Sequence, residues 1–143
     1  VTVRTGRSRS PFELGLDWLV DFKKPNFNGR RALAREKRNG STWQLVKLDI
    51  EGNKPAHHSY IYSTSKGKKD VGFITSAAWS PVCKQNVALG TVRSPHGKVG
   101  EKLYVEIYYQ REMHWSKMMA EATVVDKPFC DPPRKRATPP GPF

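Results

Sequence analysis

From Thr42 onward, apolar and polar side chains alternate in short runs. These are "TWQLVKLDI" (42–50), "SYIYST" (59–64), "DVGFITSA" (70–77), "NVALGTVR" (86–93), "KLYVEIYYQ" (102–110) and "MAEATVVD" (119–126). A period of two, enriched in Val, Ile, Tyr and Thr, predicts half-buried strands. Between the runs stand "EGNKP", "SKGKK", "WSPVCKQ" and "SPHGKVG", clusters of turn-forming residues. Two of the strands meet at the Ser-Pro turn inside "GFITSAAWSPVCKQNVALGTV" (72–92). Six short strands with no helix between them predict a mainly β fold. The expected architecture is a small antiparallel, Greek-key-like β-barrel, closed or nearly so, because closure hides the sheet edges.

Upstream the pattern differs. In "PFELGLDWLVDF" (11–22), Phe12, Leu14, Leu16, Trp18, Val20 and Phe22 alternate with polar residues, which favours one more strand, although Gly15 marks a break. Trp18 and Phe22 would then face a core, with Glu13, Asp17 and Asp21 on the solvent side. "NFNGRRALAREKRNG" (26–40) predicts a helix: Asn26 or Asn28 can cap it, Ala32, Leu33 and Ala34 propagate it, and Gly40 suits its end. Its apolar face is thin, so it should lie on a surface. The organisation expected is a connecting segment with strand and helix over 1–41, a barrel domain over 42–127, and an extended Pro-rich tail over 128–143.

Composition narrows the class. A chain of 143 residues is long enough for one independent core. No apolar run approaches the roughly 20 residues of a membrane-spanning helix, so no membrane partner is expected. The basic opening "VTVRTGRSRSPFE" lacks the apolar core of a secretory signal, and Val1 reads as a possible cut end. Cys83 and Cys130 are too few for a disulfide framework, and a reducing, cytoplasmic setting is expected.

The net charge of +12 invites a polyanionic partner. Half of that excess sits on residues 23–40, where Lys23, Lys24, Arg30, Arg31, Arg35, Lys37 and Arg38 face only Glu36. A basic helix is most often a solvated face. Without interleaved aromatic residues or a binding motif, nucleic acid is disfavoured, and steering of an anion or docking to an acidic partner stands ahead of it.

Candidate chemistry is sparse. His57 and His58 are adjacent and would point to opposite sides of a strand, so no metal site is expected from them. Cys83 falls in a turn and Cys130 in the tail, without CxxC spacing. No nucleophile elbow, phosphate loop, dinucleotide fingerprint or HExxH is present. No catalytic residue is assigned within these 143 residues.

Four motifs in order carry a resemblance. "SPFELGLDW" (10–18) is similar to Ser/Thr-Pro-x-Glu-x-Gly-Leu-x-Trp, and "FNGRRAL" (27–33) to Phe-x-Gly-x-x-Ala-Leu. "VGFITSAAWSPVCKQNVALGTV" (71–92) is similar to Gly-x-Val-Thr-Ser-x-x-x-Ser-Pro-x-x-x-x-Asn-Ile-Ala-Leu-Gly. "PFCDPPRKR" (128–136) is similar to Pro-Phe-Tyr-Asp-Pro-x-x-x-Arg. Together they resemble the C-terminal region of the glycine cleavage T-protein (aminomethyltransferase) family, closer to its folate-dependent demethylase-like members.

That resemblance implies a ring of three domains around a folate cavity. The catalytic acid and most pteridine contacts would come from an N-terminal part that these residues do not include. Tetrahydrofolate is the implied cofactor, and the implied partners are the rest of the same polypeptide and a small methyl or aminomethyl donor. The 72–92 segment would be architectural. Gly72 would permit close backbone approach or a bulge, Thr75 and Ser76 would pin the turn, and Pro81 would end the strand. In "GNKPAHHSYIY", Lys54, Ala56, His57 and His58 stand where the family carries an arginine, which turns expectation from glycine cleavage proper toward demethylation. Glu13, Trp18, His58 and Trp79 are the candidate cavity-lining, cofactor-binding positions. The competing expectation is a stand-alone basic β-barrel module binding nucleic acid or an acidic protein, whose signature would be a steep salt dependence. A structural module joined to a dehydrogenase is a third, and a flavin domain upstream would decide for it.

Overall fold

The computed structural model describes residues 9–126 together with residues 129, 132, 133 and 137. The calls on residues 1–8, on Cys130 and on most of the Pro-rich tail lie outside the described residues. Six strands form among those described: β1 Trp43–Ile50, β2 Tyr60–Tyr62, β3 Asp70–Ser80, β4 Gln85–Arg93, β5 Lys102–Arg111 and β6 His114–Val125. They close into an antiparallel barrel in the order β1-β4-β3-β2-β5-β6. Strands β2, β3 and β4 run as a meander while β1 returns beside β4, which is a Greek key. All six expected strands are present and the barrel is closed.

Alternation sends one face of every strand inward. Val46, Leu48 and Ile50 of β1, Ile61 of β2, Leu103, Val105 and Ile107 of β5, and Ala120, Ala122 and Val124 of β6 are all buried. Small residues on β4 and β6 sit among large ones on β1 and β5, which lets six strands close without leaving a lumen.

Strand β3 departs from strict alternation twice, and each departure has a cause. Ile74 pairs with Gly90 while Ser76 pairs with Leu89, so Thr75 is an extra residue without a partner. This bulge brings Ile74 and Ala77 to the same interior although they are three apart. The Thr75 hydroxyl donates to the Leu89 carbonyl at 2.9 Å. Thr75 therefore fixes a bulge in the middle of the strand and does not pin the turn, as was expected of it. Val71 is bulged likewise, between Ile61↔Gly72 and Tyr62↔Asp70. Strand β3 ends at Ser80, before Pro81, as expected.

The N-terminal segment corrects the strand expected over 11–22. Pro11 to Gly15 form turns, tied by Leu14 N–H to Pro11 O at 3.2 Å and Leu16 N–H to Pro11 O at 2.8 Å, and Asp17–Leu19 form a short 3-10 helix. Gly15 at φ +67° breaks the extended path. A closed barrel also offers no edge on which another strand could pair. Phe22 instead stacks on Phe12 with centroids 6.4 Å apart and meets Phe27 in a tilted contact at 6.3 Å, and the Lys37 ammonium lies 4.9 Å from the Phe22 ring. This satellite cluster seats helix α1, Arg30–Asn39. Gly29 is its N-cap, with no side-chain cap from Asn26 or Asn28, and no residue of α1 is buried. Glu36 fastens it to the segments on either side by accepting the Ser10 and Ser41 hydroxyls, both at 2.6 Å.

Candidate functional site

The two ends of the barrel differ in chemistry. At the end where β1 stops, the inward face of β4 begins with Asn86, which is completely buried. Its register partners are Ile50 and Trp79, and its Nδ2 donates at 2.6 Å to the carbonyl of Lys54 in the loop between β1 and β2. That bond ties the loop over the barrel mouth, and the Lys54 ammonium lies 5.4 Å from the Tyr109 ring of β5. Two hairpins project from this same end. Trp79 and Val82 lie on the β3–β4 hairpin, and Met113 and Trp115 on the β5–β6 hairpin, all exposed. Glu112 and Met113 turn that second hairpin with φ of 49° and 65°.

On the outer wall, Glu106 of β5 is only 7% exposed although its strand neighbours Val105 and Ile107 point inward. It is covered by its own partners. The Tyr108 hydroxyl donates to it, Tyr62 donates from β2, and the Lys117 ammonium lies 3.2 Å away on β6. The Tyr108 bond, then the Tyr62 bond, and finally Lys117 hold the Glu106 carboxyl below its ordinary range, against the opposing effect of burial. Glu106 is thus a saturated acceptor that joins three strands, not a base.

Donation to Glu106, with burial and the carboxylate charge behind it, pushes the Tyr62 hydroxyl up to about 12. A group whose folded pKa lies above its unfolded value stabilises the fold below the unfolded pKa, near 10 for tyrosine, and that contribution is lost as pH rises to about 12. Phenol absorbance titration should therefore show one tyrosine ionising near pH 12, with stability falling over the same window, and Glu106→Gln should move that transition back toward the ordinary range. A native Tyr62 that ionises normally would contradict this network.

At the opposite end, where β4 finishes, the loop before β5 is pinned by Glu101. Its carboxylate accepts the His96 ring N–H at 2.8 Å and the amides of Gly97 and Lys98 at 2.8 and 3.1 Å. Burial works against the charged form, but these bonds prevail and lower the Glu101 pKa.

The four sequence-derived positions are dispersed over this frame. Glu13 is buried at 8% exposure rather than solvent-facing, because its carbonyl accepts the Leu45 amide at 3.0 Å and its amide takes the Ser10 hydroxyl oxygen at 3.2 Å. Trp18 is 75% exposed, which corrects its expected place in a core. His58 is exposed at φ 55° in the loop before β2, and Trp79 is exposed on the projecting hairpin. Glu13 meets β1 at Leu45 and Trp79 lies beside Asn86 opposite Ile50, so the two stand about 16 Å apart along the barrel. Sequence reasoning missed Asn86, Glu106 and the His96–Glu101 pair. The short spacings of Glu106 and Tyr108 on β5 and of His96 and Glu101 in the loop before it were the available signals.

A closed barrel with a filled interior, exposed tryptophans on the hairpins at one end and ionisable groups dispersed among the described residues defines a small β-barrel domain. The comparisons with known proteins identify the same kind of domain. Residues 44–131 match the glycine cleavage T-protein C-terminal barrel domain. The chain is 38% identical over 129 residues to the aminomethyltransferase of Thermosynechococcus vestitus, covering 90% of this chain and 32% of that protein. It is 39% identical over 121 residues to that of Synechococcus sp. strain WH7803, covering 84% of this chain and 30% of the relative. The crystal structure of glycine cleavage system aminomethyltransferase T from Bartonella henselae superposes with a TM-score of 0.69 at 21% identity, over 85% of this chain and 32% of that one. The chain belongs to the glycine cleavage T-protein family and is its C-terminal barrel region. It spans about a third of the length of the curated relatives it matches.

Proposed function

We propose that this barrel closes the folate cavity of a longer enzyme that transfers a one-carbon group to tetrahydrofolate, while the catalytic acid and most pteridine contacts lie in the preceding domains. The carrying observation is the family match over 44–131 in a barrel whose interior is filled by side chains. Tetrahydrofolate has no room inside such a barrel, so any contact with it is made from the surface. The exposed Trp18, His58 and Trp79 are available for that role, and Glu13 braces the entry of the connecting segment onto β1. Methyl or aminomethyl donors fit the family equally. Ala56 and His57, where the resemblance places an arginine, favour a demethylase-like donor over a carrier-bound aminomethyl group. In this division the barrel domain is residues 42–127 and the setting is cytoplasmic.

If so, the isolated 143-residue chain should bind tetrahydrofolate weakly or not at all, with no saturation below about 1 mM, an affinity worth roughly 4 kcal/mol. Isothermal calorimetry decides this. A micromolar dissociation constant for the isolated chain would overturn the division of labour. Binding of nucleic acid that falls steeply with salt would instead favour the stand-alone basic module.

A further inference from the structure

At the barrel end away from the projecting hairpins is a cavity of about 210 Å³, lined by Ser63, Lys69, Asp70, Val71, Arg93, Ser94, Pro95 and His96. Its walls come from the loop between β2 and β3, the end of β4 and the loop before β5, so the fold brings Lys69 and Arg93 to one place and sets His96 beside them. Among the described residues, neither Lys69 nor Arg93 has a carboxylate within ion-pair distance. Arg93 is nevertheless positioned, with its guanidinium 5.0 Å from the Trp43 ring centroid. The third group is positioned as well. Glu101 accepts the His96 Nδ1–H and two amides of the same loop, which fixes the imidazole and assigns its proton.

A planar guanidinium held on an aromatic face, a second cation without a carboxylate partner and two hydroxyl donors are the chemistry of oxyanion recognition. We infer that this cavity binds a compact oxyanion, a carboxylate or phosphate group, between Arg93 and Lys69, with Ser63 and Ser94 as hydroxyl donors. The volume is below the ~300–1,000 Å³ of sites that enclose drug-sized ligands, so the occupant is a single anionic group or the end of a larger molecule. Asp70 also lines the cavity and limits the negative charge it neutralises, which favours a singly charged group. The site goes beyond the proposed role of the barrel, and its test does not depend on that role.

The experiment is an amide-resolved NMR titration of the 143-residue chain with sodium acetate and, separately, with inorganic phosphate, against sodium chloride at matched ionic strength. A saturable shift confined to residues 63, 69, 94 and 96 is expected. It should weaken at least tenfold in both Lys69→Ala and Arg93→Gln. Saturation by acetate assigns a carboxylate, by phosphate a phosphate group, and by both a general oxyanion site. Lys69 is exposed, so K69A keeps the test decisive even where loss of the Arg93–Trp43 contact disturbs the fold. The inference is overturned if chloride reproduces the shifts, if neither anion saturates, or if K69A binds as the parent does.

Discussion

Gly72→Ala is expected to disrupt the barrel. A Cβ at this position would stand 2.1 Å from the Thr91 carbonyl oxygen and 2.9 Å from the Val92 Cα, both backbone atoms of the paired strand. No rotamer can relieve such a contact, because the obstacle is the neighbouring strand itself. Strand β4 cannot retreat either. Its other edge carries β1 from Trp43↔Arg93 through Ile50↔Asn86, so movement away from β3 breaks into the opposite ladder. Overpacking of a core costs about 1–3 kcal/mol where side chains can adjust, and the upper end or beyond applies where they cannot. At about 4 °C per kcal/mol for a domain of this size, the melting temperature should fall by about 12 °C or more. Circular dichroism of the variant checks this, and a fall under about 3 °C would mean that the approach of β3 and β4 is looser than described. Alanine at Gly100, where the same atom meets nothing within 4 Å but φ is +83°, separates conformational strain from steric exclusion.

Asn86→Asp should destabilise comparably and carry a pH signature. Asn86 is completely buried, donates to the Lys54 carbonyl, and its Oδ1 has no protein partner among the described residues. An ionised carboxylate of the same shape loses the donor and faces the Lys54 carbonyl with a negative charge in a completely buried position. Loss of the bond and burial of the charge together cost about 3 kcal/mol or more near neutrality. The introduced carboxyl should have a folded pKa above its unfolded value. Its protonated form is stabilising below the unfolded pKa, near 4, and that stability is lost as pH rises through the folded value. Urea denaturation should thus show the variant closest to the parent near pH 4 and furthest from it near pH 8. A pH-independent difference would mean that Asn86 acts by packing alone. Asn86→Leu, which keeps the volume without charge, is the companion variant.

These two positions also show what was legible in the sequence. The "GFITS" and "NVALG" runs gave two strands by alternation, and Gly72 stood out as the one residue of its strand that permits close approach. The bulge at Thr75 was not legible, because a one-residue insertion in a strand is fixed by the register of the partner. The "HWSKM" start of β6 lacked apolar alternation, so the strand was placed from Met119 although the structure begins it at His114. Pairing with the end of β5 holds that polar ribbon, and pairing is not written in one strand alone. Over 11–22 the alternation was real but misleading. Phe12 and Phe22 meet through turns and stacking, and Glu13 is buried under the first residues of β1, where a strand would have left it in solvent.

The candidate site was less readable than the fold for a related reason. Asn86 acts through a partner 32 positions away and Glu106 joins β5 to Tyr62, 44 positions away, whereas only Tyr108 beside Glu106 and the partners of Glu101, five or fewer positions away, are visible locally. The basic helix was legible as a solvated face, and α1 buries none of its residues. The cationic cavity was not legible at all, since Lys69 and Arg93 carry no motif and are joined by topology.

The central claim is that this barrel is one part of a larger folate enzyme, and the mass of the native polypeptide tests it most directly. In the Thermosynechococcus relative, 129 aligned residues make up 32% of the chain, which implies about 400 residues and, at 16.2 kDa per 143, roughly 45 kDa, the size of a multidomain protein. Intact-mass spectrometry of the protein purified from its own source should give a product of that order with this sequence at its C-terminal end. A native product of 16.2 kDa beginning at Val1 would contradict the account.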